Sequence, residues 1–183
     1  LLITNMKKLL IISLILFLNT ANASMIIDNL ENSKNRNWVY FTDTVMGGVS
    51  QGKLAFMNEN GENFYRMTGN VSTENNGGFI QFATGIEKID KNFEGIKLRV
   101  RGNNENYQLH LRTKYTPAPW QYYSAEFNVT NEWKEVIIPF TTFKKSNFYQ
   151  PGKFKSSNIK SIGIVAIGKD FEAEIDLGRI ELY

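Results

Sequence analysis

The sequence predicts an all-β domain of antiparallel strands, arranged as a sandwich or a barrel. Apolar and polar residues alternate with a period of two in several segments, most clearly in Ile96–Arg101, where apolar residues alternate with basic ones. This contrast places one strand face in a core and the other in water. No helical period runs over ten residues from Ser24 onward. Short strands at regular spacing, separated by turn signals, are typical of these two architectures.

The predicted strands are short and follow one another along the whole domain. Turn signals such as Asn60-Gly61 and Gly102-Asn103 separate them, Pro139 ends one of them, and Thr141–Ser157 is the longest irregular stretch. In chain order, the strands cover Met25–Ile27, Lys53–Met57, Phe64–Val71, Phe79–Phe82, Ile96–Arg101, Tyr107–Arg112, Tyr123–Phe127, Trp133–Ile138, Ile162–Ala166 and a last long strand from Phe171 that continues toward Leu182.

The first 23 residues have the pattern of a secretory signal peptide. Met6 is followed by two lysines, an apolar run from Leu9 to Leu18, and the small-residue segment Ala21-Asn22-Ala23. About ten apolar residues fall short of the roughly 20 that a membrane span needs. The sequence therefore predicts translation from Met6, cleavage after Ala23, and an exported domain over residues 24–183, periplasmic or secreted.

The composition excludes several kinds of chemistry. The chain has no cysteine, which removes disulfides, thiol catalysis and thiolate metal sites. Loss of the two lysines of the signal would leave a nearly neutral domain, so nothing in the charge favours a nucleic-acid partner. We expect no cofactor, no metal and no catalytic residues.

Two glycine-containing loops stand out. The first, Trp38–Ser50, contains Asp43 and the run Met46-Gly47-Gly48, and the second is the turn Asn75-Asn76-Gly77-Gly78. Asp43 and Ser50 are residue types that hydrogen-bond a nearby loop backbone. The glycines allow close backbone approach. The two loops could therefore brace each other or present a surface to a partner, and both hypotheses stay open.

One motif points weakly to an enzyme. The segment Gly48–Gly52 matches the G-x-S-x-G nucleophile elbow around Ser50. That motif requires a strand, a turn and a helix together with a histidine partner. A strand follows Ser50 here, and His110 is the only histidine. We interpret Ser50 as a loop hydrogen-bonding residue.

The remaining ionisable side chains are predicted at the surface. His110 alternates with apolar residues beside Gln108 and Arg112, which indicates an exposed imidazole. Three carboxylates share one face of the last strand and indicate a solvated face beside the arginines of the strand Ile96–Arg101. These carboxylates are Glu172, Glu174 and Asp176.

Several aromatic residues lie in or beside loops. Such residues stack on sugars, anchor a partner protein or close the ends of a sandwich. They are Trp38, Tyr115, Trp120, Tyr122, Phe148 and Tyr149. Trp120 is the first candidate for glycan contact. Lysines interleaved with aromatic residues in Thr141–Ser157 could also touch an anionic membrane surface.

A set of motifs in order resembles the complex I intermediate-associated protein 30 family. The motifs are D-x-V-M-G-G-x-S at Asp43–Ser50, N-N-G-G-F at Asn75–Phe79, V-R-G at Val100–Gly102 with Tyr107 after it, Trp133 with I-P-F at Ile138–Phe140 and Phe143, I-x-S-I-G at Ile159–Gly163 and F-x-A-E-I-D at Phe171–Asp176. The resemblance extends from about Trp38 to the end of the chain.

The resemblance implies a galactose-binding-like jelly-roll β-sandwich. The best-known members of that family are chaperones for assembly of respiratory complex I. The predicted signal and the absence of an Arg-Gly segment in Thr141–Ser157 depart from what that role leads us to expect. The first hypothesis is a non-enzymatic binding or assembly factor for a membrane protein complex in the cell envelope. The alternative is a carbohydrate-binding module for envelope or extracellular glycan.

Overall fold

The structure of the protein, a computed structural model, describes residues 24–31 and 37–183, so the predicted signal peptide lies outside the described residues. Twelve strands are present in this part of the chain. They are β1 (Met25–Asp28), β2 (Val39–Thr42), β3 (Gln51–Glu59), β4 (Glu62–Val71), β5 (Phe79–Gly85), β6 (Gly95–Gly102), β7 (Asn106–Thr113), β8 (Tyr123–Asn128), β9 (Lys134–Pro139), β10 (Lys144–Lys145), β11 (Ile159–Ile167) and β12 (Phe171–Leu182).

The strands form two six-stranded antiparallel sheets. Sheet A has the order β3-β4-β12-β6-β9, and β1 pairs with the C-terminal part of β12. Sheet B has the order β10-β8-β7-β11-β5-β2. The predicted all-β sandwich is thereby confirmed. Most neighbours in each sheet are not consecutive in sequence, so the chain crosses repeatedly between the sheets.

The core lies between the sheets and follows the predicted alternation. Ile96, Leu98 and Val100 of β6 are fully buried. They belong to one apolar cluster with Leu109 of β7 and Ile164 of β11. Burying such side chains contributes roughly 1.5–3 kcal/mol each. This continuous core explains how the domain folds without cysteine.

The loop predicted as irregular carries local structure of its own. The two-residue strand β10 pairs with β8, and 3-10 turns cover Phe140–Thr142 and Ser156–Asn158. Phe143 is buried, and the ring of Phe154 lies 4.7 Å from that of Tyr123. Aromatic packing therefore fixes this segment against the end of the sandwich.

The prediction that β12 has a solvated carboxylate face is wrong for one of the three carboxylates. Asp176 is only 2% exposed and accepts a bidentate pair of hydrogen bonds from Arg66 at 2.7 and 2.8 Å. Arg101 donates to the same carboxylate at 2.7 Å. Glu172 and Glu174 are exposed as predicted.

No helix in the described ranges is long and apolar enough to cross a bilayer.

Candidate functional site

The two glycine-containing loops meet on the carboxylate of Asp43, which is fully buried. Its Oδ1 accepts from the backbone N–H of Ser50 at 3.0 Å. Its Oδ2 accepts from the Ser50 hydroxyl at 2.5 Å and from the backbone N–H groups of Gly78 and Phe79 at 2.5 and 3.2 Å. We call this arrangement the Asp43 brace. It joins the loop before β3 to the turn before β5.

The brace holds Asp43 as a carboxylate. Burial by itself raises the pKa of Asp43, but the hydrogen bonds from Gly78, Ser50 and Phe79 favour the charged form and bring the pKa below its usual value. The same charge acts on Tyr40. Burial, with a contribution from Asp43, raises the pKa of the Tyr40 phenol to about 12.

Glycine is required in both loops for two different reasons. Gly47 and Gly78 have positive φ angles of 91° and 122°, which side chains disfavour. Gly48 and Gly77 lie directly against Asp43, so an added Cβ would approach its side-chain carbons to within 2.8 Å. Asn75 and Asn76 also have positive φ, which asparagine tolerates. The predicted loop residues thus meet as a structural unit.

The contacts of Ser50 are not those of a catalytic nucleophile. It is 1% exposed, its hydroxyl donates to Asp43, and its Oγ accepts from the backbone N–H of Ser72 at 2.9 Å. The strand β3 follows it in place of a helix. The interpretation of Ser50 as a loop hydrogen-bonding residue agrees with these contacts.

The apex of the first loop remains exposed. Val45 and Met46 are 72% and 64% exposed on a 3-10 turn that spans Asp43–Met46.

Trp38, also predicted as a site residue, packs its ring on Tyr65 and Phe82, with ring centroids 5.9 and 5.1 Å apart. Its Nε1 donates to Asp28 at 2.9 Å. Trp38 therefore closes the core and presents little of its ring to a ligand.

A second site lies on the outer face of sheet B and was missed by the sequence analysis. We call it the recessed face and define it by seven outward-pointing residues of β5, β7, β8 and β11. They are Gln81, Ala83, Gln108, His110, Ser124, Gly163 and Val165. The strand register places Ser124, His110, Gly163 and Ala83 in one row across the sheet.

The centre of this face is covered by its neighbours. Val165 is fully buried, yet it is not part of the core cluster between the sheets. It pairs in register with Gln108 on one side and Gln81 on the other. The middle row carries only small side chains beside His110. The larger side chains around Val165 therefore cover the central strip and exclude water from it.

His110 is buried at 8% exposure, so the prediction of a surface imidazole was wrong. The ring of Tyr122 stacks on it with centroids 3.9 Å apart and planes inclined by 11°. His110 Nε2 donates to Gln108 Oε1 over 2.9 Å. Burial lowers the pKa of His110 to about 4. The imidazole is neutral at physiological pH, and because its Nε2 hydrogen is donated to Gln108, its Nδ1 is a hydrogen-bond acceptor.

Arg112 forms the boundary between this face and the loop after β7. Its Nη2 donates to the backbone carbonyls of Thr116 and Ala118 at 3.0 and 3.2 Å. Its Nε is buried and has no hydrogen-bond partner among the described residues. No described carboxylate forms a salt bridge with Arg112. Because Arg112 follows His110 by two residues on β7, both side chains lie on the same face of the strand. A cation therefore lies beside the stacked pair of His110 and Tyr122.

The recessed face is equipped for binding polar, uncharged groups. The amides of Gln81 and Gln108 both donate and accept hydrogen bonds, and the neutral imidazole of His110 adds an acceptor at Nδ1. Tyr122 adds an aromatic ring at the border. The register places the carboxylate of Glu126 next to Gln108. No group of three or more potential metal ligands occurs in residues 24–31 and 37–183.

Two joined loops form a third exposed region at the end of sheet B. Residues 114–122 and 143–155 are connected by the Ser146 N–H donating to the Tyr122 carbonyl and by the Tyr122 N–H donating to Ser146 Oγ. We call this region the aromatic tip. Its Trp120, Phe148 and Tyr149 are 69%, 73% and 78% exposed.

The strands and their pairing define a β-sandwich domain. The chain belongs to the complex I intermediate-associated protein 30 family, which matches residues 27–178. The resemblance seen in the sequence motifs is thereby confirmed. No curated protein matches the chain by sequence.

Solved structures with a similar fold include carbohydrate-binding modules. The family 11 module of a cellulosomal cellulase of Clostridium thermocellum has a TM-score of 0.68 at 16% identity, over 87% of this chain and 94% of the module. The same module in complex with a beta-1,3-1,4-mixed-linked tetrasaccharide scores 0.68 at 17% identity with the same coverage. A family 30 module scores 0.55 at 13% identity, over 88% of this chain and 98% of the module. At these identities the likeness concerns the fold.

Proposed function

We propose that this chain is a non-catalytic glycan-binding protein that uses the recessed face. One observation carries the proposal: the outer face of sheet B places two amides, a neutral imidazole and an aromatic ring around a row of small side chains. Sugar hydroxyls both donate and accept hydrogen bonds, and amides and imidazole match them. The sugar-binding activity stated for the similar module of Clostridium thermocellum supports this choice of ligand class.

Isothermal titration calorimetry against a glycan panel tests the proposal. The panel contains mixed-linked β-glucan, cellulose, xylan and peptidoglycan fragments, each with and without calcium. We expect at least one saccharide to bind, and the variant Gln81→Ala to bind it at least tenfold more weakly. Gln51→Ala is the matched control, because it makes the same change on β3 of the opposite sheet.

Two results would overturn this assignment. One is the absence of binding by any saccharide in the panel to the correctly folded protein. The other is binding that stays unchanged in both Gln81→Ala and Tyr122→Ala, since the ligand would then lie elsewhere on the molecule.

A second function, in assembly of a membrane protein complex, is favoured by family membership and by the apex of the first loop. The Asp43 brace fixes that loop, while Val45 and Met46 project into water. Rigid, exposed apolar side chains are the kind that anchor protein partners. Gly48 is excluded as a test position, because it supports Asp43.

Crosslinking in cells followed by mass spectrometry tests the assembly role. Subunits of one membrane complex should be recovered with the unmodified protein and lost with Val45→Ser combined with Met46→Ser. Ile137→Ser is the control, since it changes an apolar side chain that is 53% exposed on β9. Equal recovery with all three proteins would rule out this loop as the contact.

Both functions are proposed for the cell envelope, on the basis of the signal pattern in residues 1–23. Amino-terminal sequencing of the protein from the periplasm or the medium should begin at Ser24. Recovery of the uncleaved chain from the cytoplasm alone would contradict export.

A further inference from the structure

The aromatic tip has a composition that neither proposed function uses. Residues 114–122 and 143–155 contain five lysines and no aspartate or glutamate. The lysines are Lys114, Lys144, Lys145, Lys153 and Lys155. Among the described residues, none of the five takes part in a salt bridge. The tip therefore combines an uncompensated positive charge with exposed aromatic rings.

The rings are held in place by contacts made through the backbone. Lys145 Nζ donates to the carbonyls of Phe148 and Gln150 at 2.9 and 3.0 Å, which closes the loop beneath Phe148 and Tyr149. Gln150 is buried, and its Nε2 donates to the Tyr122 carbonyl at 3.0 Å. The Phe148 and Tyr149 rings contact each other with centroids 3.7 Å apart. Little ordering of the loop is then needed when the rings meet a partner.

We propose that the aromatic tip docks the domain onto an anionic lipid bilayer. Tryptophan, tyrosine and phenylalanine partition into the interfacial region between headgroups and acyl chains. Lysines near an anionic leaflet strengthen binding by about fivefold each, which corresponds to roughly 1 kcal/mol. Protruding rings surrounded by lysines match a flat, negatively charged, deformable surface. An acidic protein would be expected to offer pockets for these rings, and it serves as the competing outcome.

Trp120 provides a direct readout of docking. Trp38 is packed on Tyr65 and Phe82, and Trp133 contacts Phe64 with ring centroids 5.6 Å apart. Trp120 is therefore the tryptophan whose surroundings change when the tip enters a bilayer. A blue shift of its emission and protection from a water-soluble quencher would report insertion.

Co-sedimentation with vesicles tests the proposal. The mature protein should co-sediment with vesicles of phosphatidylcholine that contain about 30% phosphatidylglycerol. The same vesicles should shift the Trp120 emission to shorter wavelength. Vesicles of phosphatidylcholine alone should bind at least tenfold more weakly, and salt should reduce binding to the anionic vesicles. The combined variant Trp120→Ala, Phe148→Ala and Tyr149→Ala should lose both signals.

Matched variants separate this inference from the proposed functions. Val45→Ser with Met46→Ser removes exposed apolar groups from the other loop and should leave vesicle binding unchanged. Gln81→Ala should also leave it unchanged, because that residue lies on the recessed face. Lys153→Gln with Lys155→Gln should weaken binding without changing the fold.

The proposal fails if anionic and neutral vesicles bind equally, or if the triple variant binds as well as the unmodified protein. It also fails if the protein binds a soluble acidic polypeptide as tightly as anionic vesicles and the Trp120 emission does not shift. That last result would assign the tip to an acidic protein partner.

Discussion

The Asp43 brace and the recessed face both remove polar groups from water, but they satisfy those groups differently. In the brace, four donors converge on one carboxylate, and each is supplied by the protein. On the recessed face, amide and imidazole groups lie beside small side chains, and the neighbouring Arg112 Nε is buried without a partner among the described residues. A completed network stabilises the fold, whereas an incomplete one leaves hydrogen-bonding capacity for a ligand. The loops most prominent in the sequence are therefore mainly structural.

The largest expected effect comes from breaking the brace. Asp43→Ala leaves the backbone N–H groups of Ser50, Gly78 and Phe79 buried without an acceptor. Each such group costs about 1–3 kcal/mol, so we expect a loss of about 4 kcal/mol in the free energy of unfolding. Urea denaturation measures it. Glycan binding by the fraction that remains folded should not change.

A nearby exposed carboxylate is the control for this variant. Asp170 accepts two hydrogen bonds from Thr73 in the same region, but both are exposed to solvent. Asp170→Ala should cause a much smaller loss. Equal shifts of the urea midpoint in the two variants would contradict the special role of the brace.

The next effect concerns His110 and pH. Its pKa of about 4 in the folded protein lies below the ordinary value of 6.5 because of burial. Between these values the unfolded chain binds a proton that the folded protein does not, so stability falls as the pH falls. The loss amounts to about 3 kcal/mol across the window from pH 6.5 to 4.

Urea denaturation at pH 7, 5.5 and 4.5 checks this dependence. The variant His110→Gln should show a flatter profile over the same range, because it removes the group that titrates. An identical slope in both proteins would assign the pH dependence to other residues.

Gly48→Ala should have a smaller effect than either change. The added Cβ would lie 2.8 Å or less from side-chain atoms of Asp43, which has no room to move within the brace. Overpacking of this kind costs typically 1–3 kcal/mol, and we expect about 2 kcal/mol from thermal or urea unfolding. An unchanged stability would show that the loop can shift away from β5 without loss.

The smallest effect is expected from the same substitution on the recessed face. In Gly163→Ala the added Cβ would lie 3.2 Å from the Ala83 Cβ and 3.4 Å from Gln81 Oε1. The Gln81 side chain can move by a few tenths of an ångström, and a shift of β5 by a similar amount would relieve the contact with the Ala83 Cβ. Alanine also restricts the unfolded chain more than glycine does. The stability should stay within about 1 kcal/mol. A loss as large as that of Gly48→Ala would show that the strip has no free space.

The sequence alone determined the fold class, the family resemblance and the prominence of two glycine-containing loops, and the structure showed that these loops brace each other. Period-two alternation assigned the core side of β6, because neighbouring side chains of a strand point to opposite faces. The residue types of Asp43, Gly48 and Ser50 indicated a hydrogen-bonded loop. These are short-range properties, and they depend on only a few neighbouring residues.

Only the tertiary structure decided which polar residues are buried and which side chains form the recessed face. Asp176 is buried because Arg66 and Arg101, which lie 110 and 75 residues away, meet it across strand pairings. His110 is buried because the β7–β8 pairing brings the ring of Tyr122 over it. Long-range register sets these contacts, and local patterns do not encode it. The small residues and amides at alternating positions of β5, β7 and β11 were the one signal of the recessed face.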